Sequence, residues 1–246
     1  MAEQALVLLH GWGLHGGIWA DTSTRMPAHL TTLTPDLPGY GDVATVSPYN
    51  AETLADALAA ALPDHAAVCG WSLGGMVALA LAARHPHKVN RLILVATNPA
   101  FVTRPDWPHG LAPEVLAEFA QSLADDYKAT LLRFLSLQAR GGDQARAVIE
   151  HLRGSVFLRG EPRSTTLAAG LDLLRDVDLR DTVEKVHCPV LVMHGTHDKL
   201  CPPEAGRWLA EKLPNARLAL NPHAAHAPFL SHPDWFTSTL KDFLND

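Results

Sequence analysis

The stretch Gly70-Trp71-Ser72-Leu73-Gly74 lies between two strongly patterned segments of the sequence. Residues 66–70 form a short apolar run, as expected of a buried strand, and residues 73–85 are rich in alanine and leucine, which favours a helix. A serine at such a strand-to-helix turn, with glycine two positions before and after it, stands where the helix N-terminus stabilises negative charge. The stretch could also be a plain Gly-Ser turn, but its context predicts a nucleophile at Ser72.

Apolar runs and helical patterns alternate on both sides of this turn. The predicted strands cover residues 5–10, 30–36, 66–70, 89–96, 190–194 and 216–220. The helices between and after them run from the capping residue Asn50 to about residue 62, over residues 73–85, and over residues 233–244. Strands separated by helices indicate an α/β fold with a mostly parallel sheet and helices on both faces. Only about four residues precede the first predicted strand, so we expect a sheet of about six strands.

The pattern changes between residues 99 and 186, where no convincing strand is found. Helical stretches are predicted there over residues 113–123, 127–138, 144–155 and 165–175. Prolines mark the entry to this segment, at Pro99, Pro105 and Pro108, and residues 178–189 mark its exit. We therefore predict a core made of residues 1–98 and 187–246, with residues 99–186 inserted as a helical cap.

A serine nucleophile needs a base, and the sequence offers 14 histidines. On a fold of this kind the expected order along the chain is serine, then an acid, then histidine. His226 stands among small residues in a loop between the last predicted strand and the last helix, so it is the predicted base. His223 and His232 are the nearby competitors.

The predicted acid is Asp198, in the turn that follows the fifth strand. Ligand sites of parallel sheets open at the carboxyl ends of the strands, where this turn lies. Asp198 would accept the Nδ1 hydrogen of His226 and hold the ring in the right tautomer. An ordinary turn aspartate is the alternative reading, and four other aspartates in or just after the cap rank below it: Asp172, Asp176, Asp178 and Asp181.

An oxyanion hole is predicted from two backbone N–H groups. The residue after the nucleophile, Leu73, supplies one, and Trp12 in the loop after the first strand supplies the other. Glycines on both sides of Trp12 would let this backbone come close to the substrate, and its indole would lie along the substrate channel. A simple glycine turn is the alternative for this loop.

Composition excludes several classes of protein. The chain has 246 residues, 19% of them charged, and a formal net charge of -6, so a nucleic-acid-binding surface is not expected. No apolar run approaches the roughly 18 residues that span a bilayer, and the first residues lack a basic signal segment. Three scattered cysteines suggest neither a disulfide framework nor a zinc site. We expect a cytoplasmic monomer that uses no metal or organic cofactor.

Taken together, the motifs resemble a known family. Its marks here are Leu8-Leu9-His10-Gly11-Trp12-Gly13-Leu14, Asp36-Leu37-Pro38-Gly39-Tyr40-Gly41, Gly70-Trp71-Ser72-Leu73-Gly74-Gly75, Arg133-Phe134-Leu135-Ser136-Leu137-Gln138, Val177-Asp178-Leu179-Arg180, Ala224-Ala225-His226-Ala227-Pro228-Phe229 and Ser231-His232-Pro233. They span nearly the whole chain, which resembles the pimeloyl-acyl-carrier-protein methyl ester esterases of biotin synthesis, a family with the α/β-hydrolase fold.

The resemblance implies an activity and a set of binding residues. The activity would be hydrolysis of the methyl ester of pimeloyl-acyl-carrier protein through a covalent acyl-enzyme. The ester and its acyl chain would contact Trp12, Ser72, Leu73, Phe134, Leu135, Ser136, Leu137 and Gln138. The carrier protein is acidic, so basic cap residues would dock it, with Arg133, Arg140, Arg146 and Arg153 as candidates. Arg133 and Arg146 stand where the resemblance suggests basic residues, and an ordinary solvated surface is the alternative for each arginine.

Other functions remain open at this level, because one fold serves many reactions. The same three residues would suit a general short-chain carboxylesterase, a lactonase, a C–C bond hydrolase or a cofactor-free haloperoxidase. A ligand receptor that kept the three residues for binding is a hypothesis from another class. Such a receptor would show ligand-induced stabilisation with negligible turnover.

Overall fold

The structure, a computed structural model, describes residues 4–246. Its sheet has six strands, β1 (Gln4–Leu9), β2 (Leu30–Leu33), β3 (Ala66–Trp71), β4 (Val89–Val95), β5 (Val190–Gly195) and β6 (Ala216–Asn221). Their order in the sheet is β2-β1-β3-β4-β5-β6, and every neighbouring pair is parallel. The α/β fold class and the sheet of about six strands are therefore confirmed.

Helices connect the strands. They are α1 (Ala20–Thr24), α2 (Ala51–Ala61), α3 (Leu73–Arg84), α4 (Pro113–Asp125), α5 (Tyr127–Gln138), α6 (Ala145–Ser155), α7 (Ser164–Asp176), α8 (Pro203–Lys212), α9 (Pro228–Ser231) and α10 (Pro233–Asn245), with two 3-10 turns at Gly16–Trp19 and Arg180–Lys185. Three of these ranges have clear sequence causes. Asn50 closes a capping box with Thr53 at the start of α2, Asp126 caps α5, and Pro113 opens α4.

The centre of the sheet is the most deeply buried part of the fold. Every residue of β3 and of β5 is buried, as expected for strands covered on both faces. Ten of the twelve residues of α3 are buried as well, because this helix packs directly on the sheet. The nucleophile predicted at position 72 thus stands between the two most buried consecutive elements, where its position is rigidly set.

All six strands point the same way, so their carboxyl ends share one edge of the sheet. The loop after β1, the turn after β3, the turn after β5 and the loop after β6 carry Trp12, Ser72, Asp198 and His226 to that edge. Four residues far apart in sequence therefore lie on one side of the molecule.

Four helices, α4 to α7, follow β4 before the chain returns to the sheet at β5. In residues 4–246 this segment contains two isolated β-bridges and no strand. Hydrogen bonds tie it to the loops of the sheet: Trp12 Nε1 donates to Leu167 O at 2.9 Å and Thr166 Oγ1 donates to Gly39 O at 3.2 Å. The division into a core and a cap with the bounds given above stays a prediction.

The boundaries differ from the sequence prediction in a few places. The second strand ends at Leu33 rather than residue 36, because Pro35 lacks the N–H that a strand pairing requires. Helices α1, α8 and α9 and the two 3-10 turns were not predicted from the sequence. Helix α8 begins at the second of two consecutive prolines, Pro203, and has Glu204 in its first turn, and these are start signals that could have revealed it.

Candidate active site

Ser72 occupies a strained turn between β3 and α3. Its φ of 56° and ψ of −119° lie in a region that residues with a side chain rarely adopt. The turn is held by Ser72 N donating to Val95 O at 3.0 Å and by Ser72 O accepting from Gly75 N at 2.9 Å. The serine is therefore fixed just before the first turn of α3, whose dipole favours negative charge there.

Two glycines make this turn possible. A Cβ atom at Gly70 would lie 2.3 Å from Gly74 O, and one at Gly74 would lie 2.5 Å from His10 O. Both clashes would be with backbone atoms, which cannot move aside as a flexible side chain can. The Gly-x-Ser-x-Gly spacing thus allows the strand, the helix and the loop after β1 to touch beside Ser72.

The two predicted oxyanion donors flank the serine. In residues 4–246 the backbone N–H groups of Trp12 and Leu73 donate to no other group. A Cβ atom at Gly11 would lie 3.4 Å from Ser72 Cβ, so the loop that carries Trp12 passes close to Ser72. Two free N–H groups beside a serine are what a tetrahedral oxyanion requires.

His226 and Asp198 are in direct contact. His226 Nδ1 is 2.7 Å from Asp198 Oδ2, and both side chains are buried. Two hydrogen bonds also hold the backbone of His226. Its backbone N–H donates to Gln138 O at 3.0 Å, and its backbone O accepts from Trp71 Nε1 at 2.8 Å. The imidazole is thus locked with Nε2 as its free nitrogen.

His226 Nε2 is buried and forms no hydrogen bond within residues 4–246. The Ser72 hydroxyl therefore does not bond it in this arrangement of side chains. Such bonds are often long without substrate and tighten when the substrate binds. The unpaired nitrogen can take a proton without breaking an existing bond.

Asp198 is held at both of its oxygens. Oδ1 accepts from the backbone N–H groups of Leu200 and Cys201, each at 2.9 Å, while Oδ2 faces His226. Burial raises the pKa of this carboxyl, but the neighbouring His226 and His194 outweigh burial and hold the pKa well below its usual range. Asp198 is therefore a carboxylate over the whole range of neutral pH.

The competing residues lie elsewhere. His223 is largely exposed and pairs with Asp143 at 2.9 Å, and His232 Nδ1 is 2.9 Å from Ser231 Oγ. Three of the lower-ranked aspartates form ion pairs on the surface: Asp172 and Asp176 with Arg175, and Asp178 with Arg180. The fourth, Asp181, is exposed. None of them contacts His226.

The predicted substrate residues of the cap fall into two groups. Phe134 is buried with its ring centroid 4.7 Å from that of Trp12, and the buried Gln138, one turn along α5, contacts His226 through its carbonyl. Gln138 Oε1 is buried without a partner in the described residues. Ser136 instead bonds within the cap, to Leu132 O at 2.8 Å, and Leu135 is fully buried.

A cavity of about 380 Å³ opens beside these residues. Its lining joins the cap to the turn after β5, and consists of Leu111, Val115, Leu137, Arg140, Lys199 and Leu200. Leu137 precedes the residue that bonds His226, and the backbone of Leu200 bonds Asp198, so this cavity adjoins both. It has apolar walls and two cations, and neither cation has an ion-pair partner within residues 4–246.

Two contributors to the site were not singled out from the sequence. His194 lies beside Asp198, with Nε2 3.3 Å from Asp198 Oδ2, and Tyr40 Oη accepts from Gly13 N at 3.1 Å in the loop that carries Trp12. Both residues stand in or next to patterned motifs, but a side chain that bonds across two loops leaves no periodic signal. Among the described residues no cluster of three metal-ligating side chains occurs, and no helix is long and apolar enough to cross a membrane.

Comparison with known proteins places this geometry in a family. Residues 6–239 match the model of the alpha/beta hydrolase family. A pimeloyl-acyl-carrier-protein methyl ester esterase from Aromatoleum aromaticum is 48% identical over 239 residues, covering 95% of both chains. The protein of the same name from Chromobacterium violaceum is 44% identical, covering 97% of this chain and 93% of the relative.

Solved structures agree with the fold. A bromoperoxidase from Bacillus anthracis superposes with a TM-score of 0.91 at 23% identity, covering all of this chain and 93% of that one. The enol-lactonase from Burkholderia xenovorans superposes with a TM-score of 0.86 at 26% identity, covering all of this chain and 93% of that one. The chain belongs to the alpha/beta hydrolase family, and within it to the group of the pimeloyl-acyl-carrier-protein methyl ester esterases.

Proposed function

We propose that this protein is a serine carboxylesterase that hydrolyses the methyl ester of pimeloyl-acyl-carrier protein in biotin synthesis. The observation that carries the proposal is the 48% identity, over 95% of both chains, to a relative bearing that name. The buried His226–Asp198 contact beside a strained serine supports it chemically. Release of the pimeloyl carboxylate requires an acyl transfer to water, which such an arrangement can carry out.

In the first half of the reaction, Ser72 Oγ attacks the ester carbonyl while His226 Nε2 accepts the hydroxyl proton. The tetrahedral oxyanion receives hydrogen bonds from the N–H groups of Trp12 and Leu73. The C–O bond to the methoxy group then breaks, and His226 returns the proton to the leaving oxygen. Methanol departs and the acyl group stays bonded to Ser72.

In the second half, a water molecule replaces methanol. His226 accepts a proton from this water, which attacks the acyl carbonyl through the same oxyanion. The bond to Ser72 Oγ breaks, Oγ takes the proton from His226, and the pimeloyl carboxylate is released. Asp198 stabilises the imidazolium in both halves without itself being protonated, which agrees with its lowered pKa.

The acyl chain would lie between the cap and the sheet. Trp12 and Phe134 form an aromatic pair, and Leu137, three residues after Phe134 on α5, lines the cavity that offers further apolar surface. Apolar walls with few polar groups suit a saturated chain with an ester at one end. Leu135 is fully buried and Ser136 bonds within the cap, so both act by holding the shape of α5.

The acidic carrier protein would dock on the basic side chains of the cap. Arg133 on α5 and Arg146 on α6 are exposed and have no ion-pair partner in residues 4–246, so both can meet an anionic surface. Arg140 and Lys199 at the rim of the cavity add two further cations on the path of the carrier's arm. Complementary charge of this kind raises the association rate.

A single chain supplies every group of the proposed site, so we propose that a monomer is the working unit. The three cysteines are free thiols, two of them buried, which fits a reducing compartment. We therefore place the reaction in the cytoplasm in this proposal.

The test is incubation with pimeloyl-acyl-carrier-protein methyl ester, followed by mass spectrometry, with Ser72→Ala as the control. Free dimethyl pimelate and the glutaryl analogue would run alongside. We expect Ser72-dependent loss of the methyl group that is faster on the carrier than on the free ester. Brisk hydrolysis of small esters with no turnover on the carrier would indicate a general short-chain carboxylesterase instead.

A further inference from the structure

A second histidine stands beside the acid of the proposed site. His194, near the end of β5, is completely buried. Its Nε2 lies 2.8 Å from Cys201 O and 3.3 Å from Asp198 Oδ2, the oxygen that also faces His226. A carbonyl oxygen can only accept, so Nε2 must carry a hydrogen. That hydrogen is donated to Cys201 O, and the carboxylate oxygen lies within ion-pair distance of the same nitrogen.

These contacts close a ring of three residues. Asp198 Oδ1 accepts from Cys201 N, Cys201 O accepts from His194 Nε2, and His194 Nε2 lies against Asp198 Oδ2. Cys201 is therefore held from both sides, and the carboxylate is held at both oxygens. A rotation of the carboxylate away from His226 would break at least one of these contacts.

An ordinary core role does not explain this histidine well. His194 Nδ1 is buried and has no partner in residues 4–246, and an unpaired buried polar atom costs free energy that a methionine or leucine at the same place would avoid. Helix α8 also has to make room for the ring, since a Cβ atom at Gly206 would lie 2.6 Å from His194 Nδ1. Both features are costs of keeping an imidazole at this place.

We propose that His194 is a positioning residue, which orients the Asp198 carboxylate toward His226 and so acts on the reaction without touching the substrate. The proposal rests on the proposed roles of Ser72, His226 and Asp198, but it does not depend on the natural substrate. Without His194 the carboxylate would sample orientations in which Oδ2 does not face Nδ1. A misplacement of a catalytic group by about 1 Å costs up to about a hundredfold in rate.

The test compares His194→Met, which keeps the volume and removes the donor, with His194→Gln, whose amide nitrogen can reach the same place. Two assays would be run. One measures kcat and KM on a short p-nitrophenyl ester, and the other measures the rate at which a fluorophosphonate probe labels Ser72. We expect His194→Met to lower kcat and the labelling rate between about tenfold and a hundredfold with KM unchanged. His194→Gln should recover most of both rates, and melting temperatures would show that each variant is folded.

A double-mutant cycle decides whether the effect passes through Asp198. In an Asp198→Asn background, His194→Met should change kcat by less than about twofold, because the group on which it acts is already lost. An equal loss in both backgrounds, or a failure of His194→Gln to restore the rate in a folded protein, would overturn the proposal.

His15 supplies the matched control for this cycle. It is also a buried histidine, and its Nε2 lies 2.9 Å from Ser155 O, but it has no contact with Asp198. Any effect of His15→Met should therefore be the same with Asp198 or Asn at position 198. If the protein does not hydrolyse the carrier-bound ester but shows the expected double-mutant cycle, the proposed substrate is wrong and the role of His194 stands.

Discussion

Asp198 performs different tasks with its two oxygens. Oδ1 bonds the backbone of its own turn at Leu200 and Cys201, and Oδ2 faces His226 at 2.7 Å. The first set of bonds fixes the turn, and the second sets the tautomer of His226. The two tasks can be separated by experiment, because asparagine keeps an oxygen for the turn but presents an amide nitrogen, a donor, in place of the second oxygen.

We therefore expect Asp198→Asn to keep the fold and to lower kcat by about 10³–10⁴, since the histidine would be held in the wrong tautomer. The measurement is kcat on a p-nitrophenyl ester together with the melting temperature. Asp143→Asn is the matched control, because Asp143 also contacts a histidine, His223, at 2.9 Å but on the surface. An activity loss of similar size in both variants would contradict the assignment of Asp198.

The buried His10 links the loop after β1 to the loop after β2. His10 Nε2 accepts from Leu37 N at 2.9 Å, and His10 Nδ1 is 2.9 Å from Gly11 O. This pattern requires a neutral ring with its hydrogen on Nδ1, and a proton on Nε2 would break the bond to Leu37. Burial accordingly lowers the pKa of His10 to about 4, against smaller opposing effects of the Gly11 bond and of Asp36.

This lowered pKa predicts a pH dependence of stability. Above a pH of about 6.5 the ring is neutral in both the folded and the unfolded chain, and the full stability is present. Between about 6.5 and 4 only the unfolded chain takes up the proton, so the free energy of unfolding falls with falling pH by up to about 1.4 kcal/mol per unit. Urea denaturation at pH 7.5 and 5 would measure this.

His10→Gln is the comparison variant for this prediction, because its amide oxygen can still accept from Leu37 N but does not titrate. We expect the variant to lose less stability than the parent between the two pH values. Equal losses in the two proteins would mean that other histidines, and not His10, cause the pH dependence.

At the scale of elements, the contact between β3 and α3 depends on glycine. Gly70→Ala places a Cβ atom 2.3 Å from Gly74 O, and backbone must move on both sides to relieve the clash. We expect a loss of about 1–3 kcal/mol in the free energy of unfolding and a fall in activity, because the displaced backbone also holds Ser72. Urea denaturation and ester hydrolysis would measure the two effects.

Gly154 in α6 gives the matched substitution. An added Cβ atom there meets nothing within 4 Å, and the residue lies in the last turn of α6 without a positive φ. Gly154→Ala should therefore raise the free energy of unfolding by about 0.4–1 kcal/mol, by restricting the unfolded chain, and leave activity unchanged. If Gly70→Ala were as stable as Gly154→Ala, the close approach of β3 and α3 would not be a constraint.

The elements also show which parts of the fold the sequence can predict. Strands such as β3 and helices such as α5 were predicted within one or two residues, because apolar periodicity and capping signals are local. The contact of Trp12 with Leu167, 155 residues away, has no local signal. Neither has the meeting of His194 with Asp198, which depends on how the turn after β5 folds back. Positions on one edge of the sheet could be predicted from topology, whereas side-chain contacts between loops could not.

Over the whole molecule, the helical segment covers the edge of the sheet where Ser72 and His226 lie. It is joined to the loops of that edge by the Trp12–Leu167 bond and by an ion pair of 2.9 Å between Arg159 and Asp36. Under the proposed function, the substrate would enter between these two layers and its carrier would stay outside, against the outer surface of the helical segment.

The chain has a formal net charge of -6, yet several cations of the cap have no ion-pair partner in residues 4–246. Arg133, whose guanidinium Cζ lies 4.5 Å from the centre of the Phe119 ring, and Arg146 are both exposed. An acidic carrier would be attracted to these two arginines in spite of the overall negative charge, since screening limits each interaction to about 10 Å at 0.1 M salt. Attraction of this range affects association with the carrier and not the chemical step.

We therefore expect Arg133→Glu with Arg146→Glu to lower kcat/KM on the carrier-bound methyl ester by about tenfold at low salt and to leave hydrolysis of dimethyl pimelate unchanged. The difference between variant and parent should shrink as salt rises, because screening weakens an interaction that the variant has already lost. Lys241→Glu with Arg207→Glu, on α10 and α8 and at residues without an ion-pair partner in residues 4–246, makes the same change in net charge outside the cap. Equal losses on the carrier-bound and the free ester would mean that the two cap arginines support the fold of the cap. A loss with the control pair as large as with the cap variant would mean that overall charge, and not Arg133 and Arg146, governs the encounter.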